Sequence, residues 1–313
     1  MSYLYELEIQ SFSNGEEMER YNIGIFRTRK DAETTARRYL SEVKGFRDYY
    51  CEYSIRESEL VGNSCAESVY TYYGWNVDED GNEYDIVDGF LYSEMEAAEA
   101  AMESVKDAYD RQEWVLESSQ IGKCEFAEGF VREYPDGRTA PTLPELRAQL
   151  AALASPRTAC GIDFEYGDEP LTGFPLAVGS QLFLVAVDID FQLNGFTVRR
   201  LRDIRRVKAR RAMYQTVVEQ EGLTKFKVPR LGISDWRSVF TSLQKMDMAI
   251  IVEREYEPSY FRLGRIESVQ KDQVVMRYFN ADGVWQEPVE IPYHYITSVT
   301  FDDRYANTFS KYV

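Results

Sequence analysis

Two stretches decide how the first half of this chain is read. They are Gly24-Ile-Phe-Arg-Thr28-Arg-Lys-Asp-Ala32-Glu-Thr-Thr-Ala36-Arg-Arg-Tyr-Leu40 and Gly89-Phe-Leu-Tyr-Ser93-Glu-Met-Glu-Ala97-Ala-Glu-Ala-Ala101-Met-Glu-Ser-Val105. A constant shift of 65 pairs Gly24 with Gly89, Thr28 with Ser93, Ala32 with Ala97, Ala36 with Ala101, Leu40 with Val105 and Tyr49 with Trp114. Thr28 and Ser93 are hydroxyl residues placed to accept an orphan amide at the start of a helix. Ala32, Ala36, Leu40 and Val43 then share one helical face, with Gly45 placed to end the helix.

Alternating runs flank the helix. Tyr3, Tyr5, Leu7 and Ile9 read as one strand, and Tyr21, Ile23 and Ile25 as its return across a turn at Ser13-Asn14-Gly15. Tyr49, Cys51, Tyr53 and Ile55 make a third strand. The order is ββαβ, and the shared shift predicts it twice in tandem, over 1–65 and 66–135. Each copy should be a small antiparallel sheet covered on one face by its helix.

The copies differ in charge. Residues 1–65 carry 12 acids against 9 bases, whereas residues 66–135 carry 18 against 4. The acids run from Val77 to Glu128 and crowd at Asp78, Glu79, Asp80, Glu83, Asp85 and Asp88. Glu94, Glu96, Glu99, Glu103, Asp107, Asp110, Glu113 and Glu117 follow along the second helix and its exit. A local excess of this size repels nucleic acid and anionic membrane and steers cationic partners. A solvated face that only keeps the protein soluble is the plainer reading of the same charges.

Beyond Tyr134-Pro135-Asp136-Gly137, the segment 136–170 reads as a linker broken by Pro141, Pro144 and Pro156. Inside it Thr142 and Glu145 form a capping box, and Leu143, Leu146, Leu150 and Leu153 face one way. From Phe174 the pattern turns to short strands. Phe183, Leu184, Val185 and Ala186 make a strand apolar on both faces, and Asn194-Gly195 signals a hairpin turn. Near the end of the chain Gln273–Tyr278, the turn Asp282-Gly283, Pro288–Ile291 and Tyr295–Val299 repeat that order. Ile204 and Val207 match Ile296 and Val299 at a shift of 92. Gly264 marks a bend in a further strand, and Ser234 is placed to cap a helix carrying Trp236, Val239, Phe240 and Leu243. Short bent strands, a hairpin and a last strand after a one-turn corner resemble the Sm-like and SH3-like small barrels. That resemblance implies barrels over 171–230 and 248–313, joined by a linker helix over 231–247. The fold class expected is α+β, with tandem ββαβ repeats followed by two small barrels.

Composition narrows the function. A chain of 313 residues with 44% hydrophobic and 14% aromatic content can bury a large core. No run of about 18 apolar residues occurs. Met1-Ser-Tyr-Leu-Tyr-Glu moves directly into strand alternation without the regions of a signal peptide, so a cytoplasmic location is expected. Cys51, Cys65, Cys124 and Cys160 lack Cys-x-x-Cys spacing and read as reduced thiols.

Catalytic patterns are missing. His294 is the sole histidine, which rules out a multi-histidine metal set, and its place before the last strand suggests a structural hydrogen bond. Phosphate-binding glycine loops and nucleophile elbows do not occur. Asp78-Glu-Asp-Gly-Asn-Glu lacks the spacing and terminal Glu of a calcium loop and reads as a hairpin turn. No cofactor, metal or enzymatic activity is expected.

A basic run stands out in the neutral half: Arg199, Arg200, Arg202, Arg205, Arg206, Lys208, Arg210 and Arg211. It could dock on the acidic repeat of its own chain or of a second copy, remain solvated, or neutralise RNA phosphates. Acidic ββαβ modules without a catalytic signature resemble immunity proteins of bacterial polymorphic-toxin systems. That resemblance implies a non-enzymatic module that covers a cognate, cationic toxin with its acidic face. The alternative is an RNA-associated Sm-like regulator that uses the run 199–211.

Overall fold

The computed structural model describes residues 2–13, 16–78, 83–109, 111–134, 137–166, 169–257 and 259–313. Asn14-Gly15, Glu79, Asp80, Asp110 and Pro135-Asp136 lie outside the described residues, as does the side chain of Glu83. The fold is mixed, with six α-helices among the described residues and strands in two sheets. No helix among these residues is long and apolar enough to cross a membrane. The chain divides into two compact units, Met1–Phe12 with Glu17–Arg132, and Glu133–Val313.

In the first unit the elements run β1 (Ser2–Ser13), β2 (Glu16–Phe26), α1 (Arg29–Glu42), β3 (Cys51–Val61), β4 (Ser68–Val77), β5 (Glu83–Asp88), β6 (Leu91–Tyr92), α2 (Met95–Lys106) and β7 (Glu113–Gln120). The sheet order is β2-β1-β3-β6-β4-β5, with β7 also paired to β4. Leu7, Ile9, Tyr21 and Ile23 point from the first strands onto Ala32, Ala36 and Tyr39 of α1. The Thr28 hydroxyl accepts the Asp31 amide at 3.1 Å and starts that helix as its sequence predicts. α1 ends at Glu42, and Gly45 follows at φ 82, where a Cβ would meet the Phe130 carbonyl oxygen at 2.5 Å.

The second helix departs from the shift of 65. Ala98 is fully buried and Ala97 is exposed, so the helical face has slipped by one residue. The cause is local. Ser93 does not cap α2, which starts after Glu94 without a side-chain cap. Its hydroxyl instead accepts the Asn63 amide at 2.8 Å, tying the end of β3 to the second half of the unit. Parallel pairing of Leu60 with Leu91 and Val61 with Tyr92 runs alongside. Beyond β7 the chain returns to β2, with the Gly122 amide on the Ile25 carbonyl (2.7 Å) and the Glu125 amide on that of Ile23 (2.9 Å). Leu4, Ile25, Leu60, Val69 and Leu91 close the core where these segments meet.

The second unit holds α3 (Leu143–Ala154), β8 (Cys160–Phe164), β9 (Leu171–Val178), β10 (Leu182–Ile189), β11 (Gln192–Arg200), β12 (Ile204–Ala209), α4 (Ala212–Gln220), α5 (Trp236–Met246), β13 (Ile250–Glu253), β14 (Phe261–Val269), β15 (Gln273–Phe279), β16 (Val289–Pro292), β17 (Ser298–Phe301) and α6 (Arg304–Phe309). One sheet runs β12-β8-β9-β10-β11-β17-β13-β14-β15-β16. Strands β8 to β12 form one meander whose last strand folds back beside its first, and β13 to β17 follow the same plan. A one-turn 3-10 corner, Leu201–Asp203 or Tyr293–Tyr295, precedes each last strand. The two meanders join where β11 pairs with β17, Phe196 opposite Phe301 and Val198 opposite Val299. They share one core, with Leu184, Val198, Phe240, Val252, Met276 and Val299 all buried in it.

Three local expectations are corrected here. β8 falls inside the expected linker, because five residues between breakers carry too little pattern to announce a strand. The β10–β11 hairpin turns at Asp190-Phe191, with φ of 51 and 62, and not at Asn194-Gly195. Gly195 sits in β11 at φ 76, where a Cβ would meet the backbone of Asp302 at 2.7 Å. The cap of α5 is Asp235, whose carboxylate accepts the Ser238 amide at 2.7 Å, one residue beyond the expected Ser234. The capping box of α3 forms as expected, with the Thr142 amide on Glu145 at 2.8 Å and the Glu145 amide on Thr142 at 3.3 Å.

Candidate functional site

The acidic segment of the first unit centres on β5, an edge strand of its sheet. The ladder with β4 passes from Gly74 opposite Val87 to Asn76 opposite Tyr84, which leaves an extra residue on β5. Asp85 takes the left-handed conformation there, at φ 54, and its carbonyl accepts Arg111 Nε at 2.6 Å. A bulge of this kind twists an edge and re-aims its side chains. Tyr84 is 47% exposed, Ile86 60% and Phe90 59%. Acids surround them in sequence: Asp78, Asp85 and Asp88 are exposed, and Glu94, Glu96, Glu99, Glu103 and Asp107 lie exposed along α2. The Asp88 carboxylate pairs with Arg56, which also holds Glu6 at 3.2 Å, and Glu103 pairs with Lys106 at 2.5 Å.

Sequence reasoning read this strand by charge alone. The alternation of Tyr84 and Ile86 with acids was visible, but only the edge position leaves those apolar side chains in water. An exposed apolar edge inside a charged field has the composition of a recognition surface.

The basic run of the second unit does not form one patch, because β12 and the 3-10 corner send its members apart. Arg199 pairs with Glu255 at 2.6 Å and lies 4.1 Å from the centre of the Phe164 ring. Arg200 is buried on Asp203 and donates to the His294 carbonyl and the Tyr166 hydroxyl, each at 3.2 Å. Arg202 also faces Asp203. His294 therefore serves this corner through its backbone carbonyl, while its exposed ring lies 3.9 Å from that of Tyr295. Arg205 faces Glu165 at 3.9 Å and Arg206 pairs with Asp163 at 2.6 Å.

The remaining cations, Lys208, Arg210 and Arg211, reach a groove of about 580 Å³ beside β12 and α4. Phe191, Met213, Tyr214 and Val217 form its apolar side. A second, more polar groove of about 340 Å³, lined by Tyr134, Arg138 and Arg205, shares Asp163, Pro170 and Arg206 with the first. Phe191 was invisible as a wall residue because its side chain is presented by the unexpected turn.

Glu253 is largely buried against the Ser298 hydroxyl (2.7 Å), and burial pushes its carboxyl above the usual range. All four cysteines are free. Among the described residues no cluster of three His, Cys, Asp or Glu side chains could hold a metal. Comparison with protein-family models, with curated proteins and with solved structures finds no match to this chain.

Proposed function

We propose that this protein acts by binding another protein, as an immunity-type module that neutralises a cognate bacterial toxin in the cytoplasm. The observation that carries the reading is the β5 edge, where Tyr84, Ile86 and Phe90 are exposed within the acidic segment. Aromatic and aliphatic anchors supply most of the affinity at a protein interface, and surrounding charge sets its partner and its association rate. An unpaired strand edge can also take a partner strand through main-chain hydrogen bonds. A cationic partner with an extended apolar segment satisfies all three features.

The architectural reading belongs to the same proposal. The order strand–strand–helix–strand of β1-β2-α1-β3, met again in β4-β5-α2-β7 with the two-residue β6 added before the helix, supports a tandem ββαβ repeat in which only the second copy became acidic. The two five-strand meanders, each with a 3-10 corner before its last strand, support a pair of Sm-like or SH3-like small barrels. In the alternative reading, an RNA-associated Sm-like regulator, the run 199–211 would have to face phosphates together. The carboxylates of Glu255, Asp203, Glu165 and Asp163 opposite five of its arginines weigh against that.

The test is affinity capture from host lysate, then association kinetics with the purified captured protein. Tyr84→Ser with Ile86→Ser and Phe90→Ser should abolish capture. Asp78→Lys with Asp85→Lys should slow association by about tenfold at low salt and leave dissociation little changed. Identical capture by wild type and both variants would remove β5 from the interface.

A further inference from the structure

We propose that the groove beside β12 and α4 binds a small organic anion carrying a planar ring, of the class of a nucleoside monophosphate. The proposal stands apart from the acidic edge and concerns a different unit of the chain. The groove measures about 580 Å³, within the range of small-molecule sites, which is roughly 300–1,000 Å³. Its lining combines apolar rings with cations, and that combination specifies the ligand.

Part of the lining is apolar and aromatic. The Phe191 ring lies 4.6 Å from that of Tyr214, tilted by 31°, and both line the groove. Met213 beside them is 74% exposed. A bound ring would cover it and lie against the aromatic pair.

Cationic side chains make up much of the remaining lining. Among the described residues Asp163 is the one carboxylate lining the groove, and it is engaged by Arg206 at 2.6 Å. Lys208 and Arg211 are exposed and have no carboxylate partner among the described residues. Arg210 donates to the Thr172 hydroxyl and lies 5.5 Å from the centre of the Tyr214 ring, which leaves its buried Nε without a hydrogen-bond acceptor. A phosphate or carboxylate would supply acceptors to guanidinium groups and charge to Lys208.

The turn that brings Phe191 here adds an independent reason. Two-residue hairpin turns of this shape ordinarily use Asn-Gly or Asp-Gly, because both central residues take positive φ. Phe191 at φ 62 is a bulky residue in the left-handed region, where strain of this kind collects at ligand clamps. Asp190 fits the turn, whereas Phe191 carries its ring there onto Tyr214 at the groove wall.

The experiment uses the full chain and calorimetric titration with adenosine monophosphate, adenosine and inorganic phosphate. The monophosphate should bind at least about tenfold more tightly than either half. Lys208→Ala with Arg211→Ala should weaken it by tenfold or more, and so should Phe191→Gly, which suits the turn while removing the ring. Thermal unfolding of both variants reports that they are folded. Adenosine monophosphate failing to bind at millimolar concentration, or binding equally to wild type and both folded variants, overturns the proposal. Phosphate alone binding as tightly as the nucleotide removes the ring from it. A polyuridine strand that binds more tightly than the nucleotide and is lost in the same variants assigns the groove to nucleic acid instead.

Discussion

Arg200 and Asp203 form a buried ion pair, Nε to Oδ2 at 2.5 Å, at the 3-10 corner between β11 and β12. The other corner has Pro292 and Tyr295 at the places of Arg200 and Asp203, so no such pair forms there. Removing one partner strands a charge in the core, at a cost of about 3–5 kcal/mol. Asp203→Ala and Arg200→Ala should each destabilise the protein on that scale in urea unfolding. The double change Arg200→Met with Asp203→Leu should cost less than either single change. A double variant as unstable as the sum of the singles would show that the pair does more than fill the corner.

The register of α2 gives a second prediction. Ala98→Leu adds three carbons where no space remains and should cost about 1–3 kcal/mol. Ala97→Leu, one residue away on the exposed side, should change stability by no more than about 0.5 kcal/mol. Equal effects at the two sites would place the helix face elsewhere.

Asp235 gives a pH dependence with a definite sign. The Ser238 amide holds its carboxyl below the ordinary carboxylate range. A depressed folded value means that the cap stabilises above the unfolded pKa, about 3.9, and that this contribution fades as pH falls through the folded value. Asp235→Ala should cost about 1 kcal/mol at neutral pH and less in acid. Asp235→Asn should keep most of the cap and flatten the stability curve below pH 4, as thermal melts across an acid series will reveal.

The cysteines should separate by reactivity. Burial pushes the thiols of Cys51 and Cys160 up to about 12, whereas Cys65 is exposed. A thiol in the first state presents almost no thiolate at neutral pH. Mass spectrometry after brief maleimide treatment should find label on Cys65 well before Cys51 or Cys160, which should react only on unfolding. Early label on Cys160 would mean that β8 opens readily.

What could be read in the sequence was what local chemistry decides. Thr28 and the Thr142–Glu145 box announce their helices because the bonds they make span three residues. Gly195 misled for the opposite reason, since it makes room for Asp302, more than a hundred positions away. The left-handed Phe191 likewise depends on Tyr214, which no turn rule includes. In the basic run the charges were plain, but Glu255, Glu165 and Asp163 reach them only through the sheet. The acids around β5 were equally plain. The exposure of Ile86 beside them follows from which strand ends the sheet, and pairwise alternation does not encode that.

The place of β17 has a consequence for how this protein is made. It lies between β11 and β13, in the middle of the ten-stranded sheet, yet it is synthesised after the nine other strands. Before it leaves the ribosome, β11 and β13 have no neighbour on their facing sides, and Val198 and Val252 have no Val299 to cover them. The second unit therefore cannot complete its folding in step with translation. Its meanders must wait without their common strand, during which exposed edges invite mispairing and chaperone attention.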